Sequence, residues 1–377
     1  METILACGQN WFHQLDDSPS TFITHFKPLS NLPISGSSTV RVLHAGWSSS
    51  VFAVDGLNSK VPLKVCRGKV PLPDVSHNGP ISSITPESHR FRRSQSMSLQ
   101  CIDCGLAGDN STSANLFQAA LQGAFGQSDL PADIDSDHVF HMACTAANRV
   151  AILTHQSHGR LIVLEYEVGV SVGNGSSCST TFQKVLATEV QGEKAYLYSG
   201  NTFFLLGVNN SQVYSWGDAR FRKCLGRDIS SAAADKLGPV PLPFTPKKFS
   251  VGGYVAAALS QGGRLIIWGQ PRPGHETAGL PGVEGDAEDF ADVSMPGNAL
   301  VEDFDIGNDH LAVLTRDGRV FTAGAGECGQ LGIGAQLDWQ QSLVEVSELS
   351  TKRIREVRCG YASTFAISKL EQCAEQF

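Results

Sequence analysis

The sequence predicts an all-β chain folded as a seven-bladed β-propeller, on three observations. A glycine-framed unit recurs along the chain, its internal offset is constant, and its last copy is a half unit whose missing half stands at the other terminus. The unit is clearest as GNDHLAVLTRDGRVFTAGAGECGQLGIG, residues 307–334. Gly200, Gly252, Gly307 and Gly360 stand in register at separations of about 52, 55 and 53 residues, a repeat length in the propeller range. From Gly200 to Gly217, Gly252 to Gly269 and Gly307 to Gly324 the offset is about 17 residues each time, a constancy that shared composition alone does not produce.

Within each copy the strands are short β-prone runs such as LAVLT, RVFTAG, RLIIWG and QVYSWG, joined by RDG, QGG and NNS links with hairpin-turn chemistry. Helical periodicity is weak, with residues 113–125 the one modest exception. The copy at Gly360, GYASTFAIS, stops near the end of the chain, and ILACGQNWFHQL at residues 4–15 matches the missing half. Gly8 is then its glycine, and Gln14 and Leu15 stand in the places of Gln330 and Leu331. The two ends are therefore expected to share one sheet and close a ring, which removes the long unpaired edges that make all-β chains associate.

Two fainter copies precede these. His44 to Gly56 carries Gly46 in register, and His138 to Tyr166 places Ala146 and Glu165 at the two glycine positions. One further degenerate copy is expected between Leu63 and Ser136, making seven units in a single domain spanning residues 1–377. Within it, residues 69–136 read as an irregular, Pro-, Gly- and Ser-bearing insertion or degenerate blade. Arg90, Arg92 and Arg93 there precede Ser96, which marks Ser96 as a candidate phosphorylation site.

The pattern of Asp317-Gly318 through Gly329-Gln330-Leu331-Gly332, matched in part by Trp216-Gly217 with Cys224-Leu225-Gly226 and by residues 4–15, resembles the repeat of the regulator of chromosome condensation family. That resemblance implies a propeller and two kinds of activity. One is non-enzymatic protein interaction as a scaffold or regulatory adaptor; the alternative is guanine-nucleotide exchange on a small Ran-like GTPase.

Composition bounds the rest. With 41% hydrophobic and 18% charged residues and a formal net charge of −8, the chain has material for a substantial core and no concentrated basic stripe for phosphate contact. No direct nucleic-acid partner is expected, no apolar run reaches membrane-spanning length, and METILACGQNW lacks a secretory signal pattern. A monomer in the cytoplasm, the nucleus or both is the corresponding expectation. The ten cysteines are scattered, and the single Cys-x-x-Cys at Cys101 and Cys104 lacks the second pair of a zinc site. No metal or cofactor is expected.

GAGECG at residues 324–329 has the form of a dinucleotide fingerprint, but GQLGIG follows in place of a helix, so the segment reads as a turn. His310 reads as a strand-tying hydrogen-bonding group, and the acidic stretches 284–292 and 302–305 read as solvated loops between blades. No catalytic residue is identified. Partner-binding candidates are the side chains of the turns after each second glycine: Trp11 and Phe12, Asp218, Arg220, Phe221 and Arg222, and Glu327, because aromatic and arginine side chains dominate interface energetics. The expected partner is a protein, such as a small GTPase or a partner enzyme.

Overall fold

The computed structural model describes residues 2–11, 14–17, 19–29, 32, 38–45, 49–55, 63–68, 139–156, 159–172, 178–209, 211–274, 280–283 and 290–368. Short antiparallel strands build them almost entirely. In chain order these are β1 (Ile4–Gln9), β2 (Phe22–Pro28), β3 (Thr39–Ala45), β4 (Ser49–Asp55), β5 (Leu63–Gly68), β6 (Val139–Cys144), β7 (Arg149–Gln156), β8 (Arg160–Val172), β9 (Cys178–Gln191), β10 (Ala195–Ser199), β11 (Phe203–Val208), β12 (Gln212–Gly217) and β13 (Gly238–Pro239). They continue as β14 (Pro246–Gly252), β15 (Val255–Ser260), β16 (Leu265–Gly269), β17 (Ala291–Asp292), β18 (Val301–Ile306), β19 (His310–Thr315), β20 (Val320–Gly326), β21 (Leu337–Glu345), β22 (Ile354–Cys359) and β23 (Ser363–Ser368).

Among the described residues these strands form five four-stranded sheets and one three-stranded sheet. Five run in chain order, as in β18-β19-β20-β21, and one does not: β2-β1-β23-β22 joins the two ends of the chain. Cys7 faces Thr364 and Gly8 faces Ser363 across β1 and β23, the shared sheet that the half units predict. Leu63–Gly68 is the third strand of the β3-β4-β5 sheet, so any seventh unit would have to begin after it, beyond the described residues. Residues 113–125 and Ser96 also lie outside the described residues.

The chain falls into two compact units, residues 1–68 with 246–377 and residues 69–245. In the first, sheets pack face to face through alternating side chains. Val255, Ala257 and Leu259 of β15 join Phe304, Leu311 and Val313 in one core. Leu5 and Cys7 of β1 enter a second core with Ala312, Leu314 and Val357, while Ile4 and Ala6 enter a third with Val40, Phe52 and Phe365. The period of two in a strand sends alternate β1 side chains into two different cores, which is why all six of its residues are buried. The second unit has its own core, in which Ala151, Leu153 and Val163 meet Leu197, Phe204, Leu206 and Trp216.

The paired glycines have a common geometry. Phe203 faces Gly217, Val255 faces Gly269, His310 faces Gly324 and Ser363 faces Gly8, and each of these partners lies three residues past a first glycine. A Cβ at Gly324 or Gly8 would collide with the carbonyl oxygen of Asp309 or Ala362, the residue before the facing partner. The first glycines touch from sheet to sheet: a Cβ at Gly252 would strike the carbonyl of Gly307, and one at Gly307 would lie 2.6 Å from that of Gly360. The repeat length thus reflects close backbone approach between neighbouring sheets.

Register completes one sequence assignment and corrects another. Ser49 faces Gly68, so Gly68 is the second glycine of the copy containing Gly46, a residue that itself lies outside the described set. In the next described copy Arg149 faces Glu167, which places Glu167 rather than Glu165 at the glycine position, because the β7–β8 ladder pairs eight residues of each strand where β19–β20 pairs five. Glu165 is instead fully buried, held by Arg149 Nε at 2.7 Å and by Trp216 Nε1 at 2.9 Å. Burial raises its pKa, and Arg149 and Trp216 oppose that shift.

Residues 302–305 are also not loop residues. They lie in β18, where Lys247 reaches Glu302 at 2.9 Å, Lys248 reaches Asp303 at 2.7 Å and Ser250 Oγ donates to Asp305 at 2.5 Å. On the other side Asp303 and Asp305 accept the backbone N–H groups of Val357 and Cys359. These carboxylates couple neighbouring sheets, since their alternation in a strand presents them to β14 and β22. Residues 284–289 lie outside the described set.

Candidate interaction surface

The polar residues framed by the glycines divide into a buried network and an exposed rim. His310 is fully buried and its Nε2 lies 3.0 Å from Thr364 Oγ1. Thr364 Oγ1 donates its one proton to Gln330 O at 2.6 Å, so the imidazole Nε2–H must be the donor to Thr364. Burial lowers its pKa to about 4. The turn of residues 329–334 is pinned in turn: Thr322 Oγ1 donates to Leu331 O at 2.8 Å, Cys7 Sγ to Gln330 O at 3.4 Å, and Gly334 N to Thr24 O at 2.9 Å. Gln14 and Leu15 are buried like Gln330 and Leu331, as their alignment predicts. Backbone strand β20 runs through Gly324–Gly326 into this turn with no helix behind it, so GAGECG has no helix N-terminus to offer a phosphate.

At the glycine end of the first unit the rim is exposed and braced. Asn10 is buried, and its side chain organises the loop after β1. Its Oδ1 accepts from Leu15 N at 2.9 Å and Asp16 N at 3.1 Å. Its Nδ2 donates to Asp16 Oδ1 at 2.9 Å, Asp16 O at 3.2 Å and Ser20 O at 3.1 Å. That loop presents Trp11, 44% exposed, with its ring 5.8 Å from Phe22. Phe12 lies outside the described residues.

The adjoining turns carry Tyr254, Asn308, Asp309 and Tyr361. Arg272 Nη1 meets Asp309 Oδ2 at 3.2 Å, and Asn308 N donates to Tyr361 O at 3.3 Å. Burial raises the Tyr361 pKa, the Asp309 charge adds to this, and Arg272 opposes it. Glu327 is exposed, and its carbonyl accepts from Gln336 Nε2 at 3.2 Å. The neighbouring Cys328 thiol is pushed up by burial and then by the Glu327 charge.

The equivalent turn of the second unit holds Asp218, Arg220, Phe221 and Arg222. Asp218 caps the 3₁₀ turn Ala219–Leu225 by accepting from Arg220 N, and the Arg220 guanidinium closes back on the same carboxylate at 2.6 Å. Hydrogen bonding from Arg220 lowers the Asp218 pKa. Arg220 also lies over the Phe221 ring at 5.8 Å, and Arg222 is exposed. Behind the turn Arg227 donates to four loop carbonyls, those of Asp228, Ala232, Ala233 and Lys236, a brace that no motif signals. The sequence candidates among the described residues therefore occupy equivalent turns in each unit. Asn10, Tyr254, Arg272, Asp309 and Tyr361 escape sequence inspection, although Tyr254, Asp309 and Tyr361 sit one or two places after a first glycine, an offset that could have exposed them.

Among the described residues no three or more His, Cys, Asp or Glu side chains gather to hold a metal. No helix among them is long and apolar enough to cross a membrane.

Comparison with known proteins agrees with the repeat geometry. Models of the regulator of chromosome condensation (RCC1) repeat match residues 301–330 and 317–367. The chain is 34% identical over 176 residues to the regulator of chromosome condensation of Mus musculus, covering 42% of this chain and 41% of that protein. It is 30% identical over 238 residues to the Xenopus laevis protein of that name, covering 58% and 55%. The matches thus span about half the length of these curated relatives. A human protein named as a probable E3 ubiquitin-protein ligase, HERC3, is 32% identical over 172 residues, which cover 44% of this chain and 16% of HERC3. Among solved structures, Prp20p from Saccharomyces cerevisiae, described with its binding properties to Gsp1p and histones, aligns over 98% of this chain and 92% of its own with a TM-score of 0.53 at 14% identity. That likeness establishes the β-propeller fold. Residues 301–367 of the chain thus carry regulator of chromosome condensation repeats, and the sequence is similar over about half its length to proteins of that name.

Proposed function

We propose that the chain is a non-enzymatic protein-interaction module that binds its partner through the glycine end of its sheets. The observation that carries this is Trp11: a large, half-exposed aromatic side chain on a loop braced by a buried asparagine with five hydrogen bonds, at the glycine end that also carries the Arg272–Asp309 ion pair. Prepaid ordering of aromatic and charged side chains suits binding, since less freedom is lost on association. The buried histidine is neutral and committed to a structural hydrogen bond, which removes the most obvious general base from consideration. The partner is a protein, and the compartment is the nucleus, the cytoplasm or both. Affinity purification from the native source tests the proposal. W11A should deplete the principal partner; a partner set unchanged in the folded variant overturns the proposal.

A second reading, guanine-nucleotide exchange on a small Ran-like GTPase, is favoured by one backbone feature. β8 and β9 run for 13 and 14 residues, and their pairing continues to Val172 and Cys178 after β7 has ended opposite Glu167. The pair leaves its sheet at the glycine end as a ribbon of about 15 Å, long enough to enter a partner's cleft. Exchange would then be differential binding to the nucleotide-free state. Release of labelled GDP from a Ran-like GTPase decides it: stimulation abolished by removing the ribbon supports exchange, and no stimulation at micromolar protein excludes it.

A further inference from the structure

We infer that the Trp11 shelf takes a lysine- or arginine-bearing segment of the partner protein, an inference that rests on the interaction reading above and specifies its chemistry. Trp11 is one of only two exposed large hydrophobic residues among those described, and its indole stands tilted at 56° to the Phe22 ring. An exposed indole attracts a cation through its ring quadrupole, most strongly of the three aromatic side chains. The brace from Asn10 fixes the loop that presents the ring, so the cation meets a surface already in place.

Among the described residues, the charge of this loop and of the turn against it is acidic. Asp16 and the exposed Asp17 lie in the same braced loop. The turn bearing the exposed Glu327 abuts the start of β2, for a Cβ at Gly329 would lie 2.9 Å from the carbonyl of Ile23, the residue after Phe22. The guanidinium described on this rim, Arg272, is already bound to Asp309. The opposite, hairpin-turn end of the same unit differs: Lys247, Arg264, Arg316 and Arg319 gather there, paired with Glu302, Asp292 and Asp317. An apolar peptide would gain little from one ring rimmed by carboxylates, whereas a basic segment gains both the ring face and the carboxylates.

The test uses the full chain and a fluorescein-labelled dodecapeptide of alternating arginine and glycine, with the glutamate–glycine counterpart as control, read by fluorescence anisotropy. The arginine peptide should bind and the glutamate peptide should not. W11A leaves net charge unchanged, so any loss it causes cannot come from the overall acidity of the chain; it should weaken binding about tenfold. W11F should retain most of the affinity, and D17N should weaken it about threefold. D317N, at the hairpin-turn end, removes the same unit of charge as D17N and should leave affinity unchanged. Equal affinity for W11A and wild type, or equal losses in D17N and D317N, overturns the assignment. If W11A depletes the native partner while the arginine peptide fails to discriminate, the basic-segment chemistry is wrong and the interaction reading stands. If neither experiment responds to W11A in a protein with unchanged circular dichroism, both fail.

Discussion

Thr364→Val isolates the buried network that ties one sheet to the next. The substitution keeps shape and removes a single hydroxyl, which in the native protein donates to Gln330 O at 2.6 Å and accepts from His310 Nε2 at 3.0 Å. Thr364 and His310 are both fully buried, so water cannot replace the lost partner. The His310 Nε2–H left unpaired costs about 1–3 kcal/mol and Gln330 O keeps only the weak Cys7 Sγ bond, so T364V should lose about 2–4 kcal/mol. Thr322→Val provides the scale, because Thr322 Oγ1 serves the Leu331 carbonyl in the same turn and no buried imidazole depends on it; its loss should be about 1–2 kcal/mol. Urea unfolding followed by both tryptophan fluorescence and far-ultraviolet circular dichroism measures the two, with coincident transitions required before a single free energy is assigned. A T364V loss within about 0.5 kcal/mol of wild type, or no larger than that of T322V, would refute the donor assignment at His310.

Other consequences follow from the same geometry. Burial lowers the pKa of His310 and His141 from the ordinary 6.5 to about 4 in the folded chain, so the unfolded chain binds more protons between those values. Stability should be flat above pH 6.5 and fall as pH drops from there towards 4, and H310Q should reduce the slope; an unchanged slope contradicts a neutral buried His310. Gly324→Ala should cost about 3 kcal/mol or more, because φ is +107° and the new Cβ meets the Asp309 carbonyl, whereas Gly318→Ala, at φ +87° with open space, should cost about 1 kcal/mol. Equal melting shifts for the two would deny the close approach. Removing residues 1–12 deletes β1 from the middle of its sheet, along with Ile4 and Leu5 and the Glu2 carboxylate that bonds Arg355 and Val40 N. The loss should exceed about 5 kcal/mol and be visible as a large fall in melting temperature; unchanged melting would contradict the shared sheet.

Much of the fold was legible because glycine spacing records backbone contact. Where a carbonyl of the next strand occupies the place of a Cβ, as at Gly8 and Gly324, no other residue fits, and the offset survives in the sequence. Gly46 to Gly68 was harder to see because the hairpin between β4 and β5 is longer than its counterparts, and Glu165 drew the eye to a glycine position that register assigns to Glu167. Glu302 to Asp305 looked like loop acid because composition does not reveal partners; their lysine, serine and backbone partners lie about one repeat away in the chain. The candidate surface was legible only at its offsets. Trp11 and Arg220 stand in turns that the repeat locates, while Asn10 and Arg227 work through hydrogen bonds to loop backbone, which leave no motif.

Photocrosslinking tests the interaction reading most directly. An aromatic photoreactive amino acid placed at Trp11, at the glycine end, is compared with one placed at Leu300, the other exposed large hydrophobic and a residue of the hairpin-turn end. Irradiation in native extract should join the principal partner to position 11 and not to position 300. Crosslinking at position 300 with none at position 11, in a variant whose melting matches wild type, would contradict the assignment of the binding surface to the glycine end.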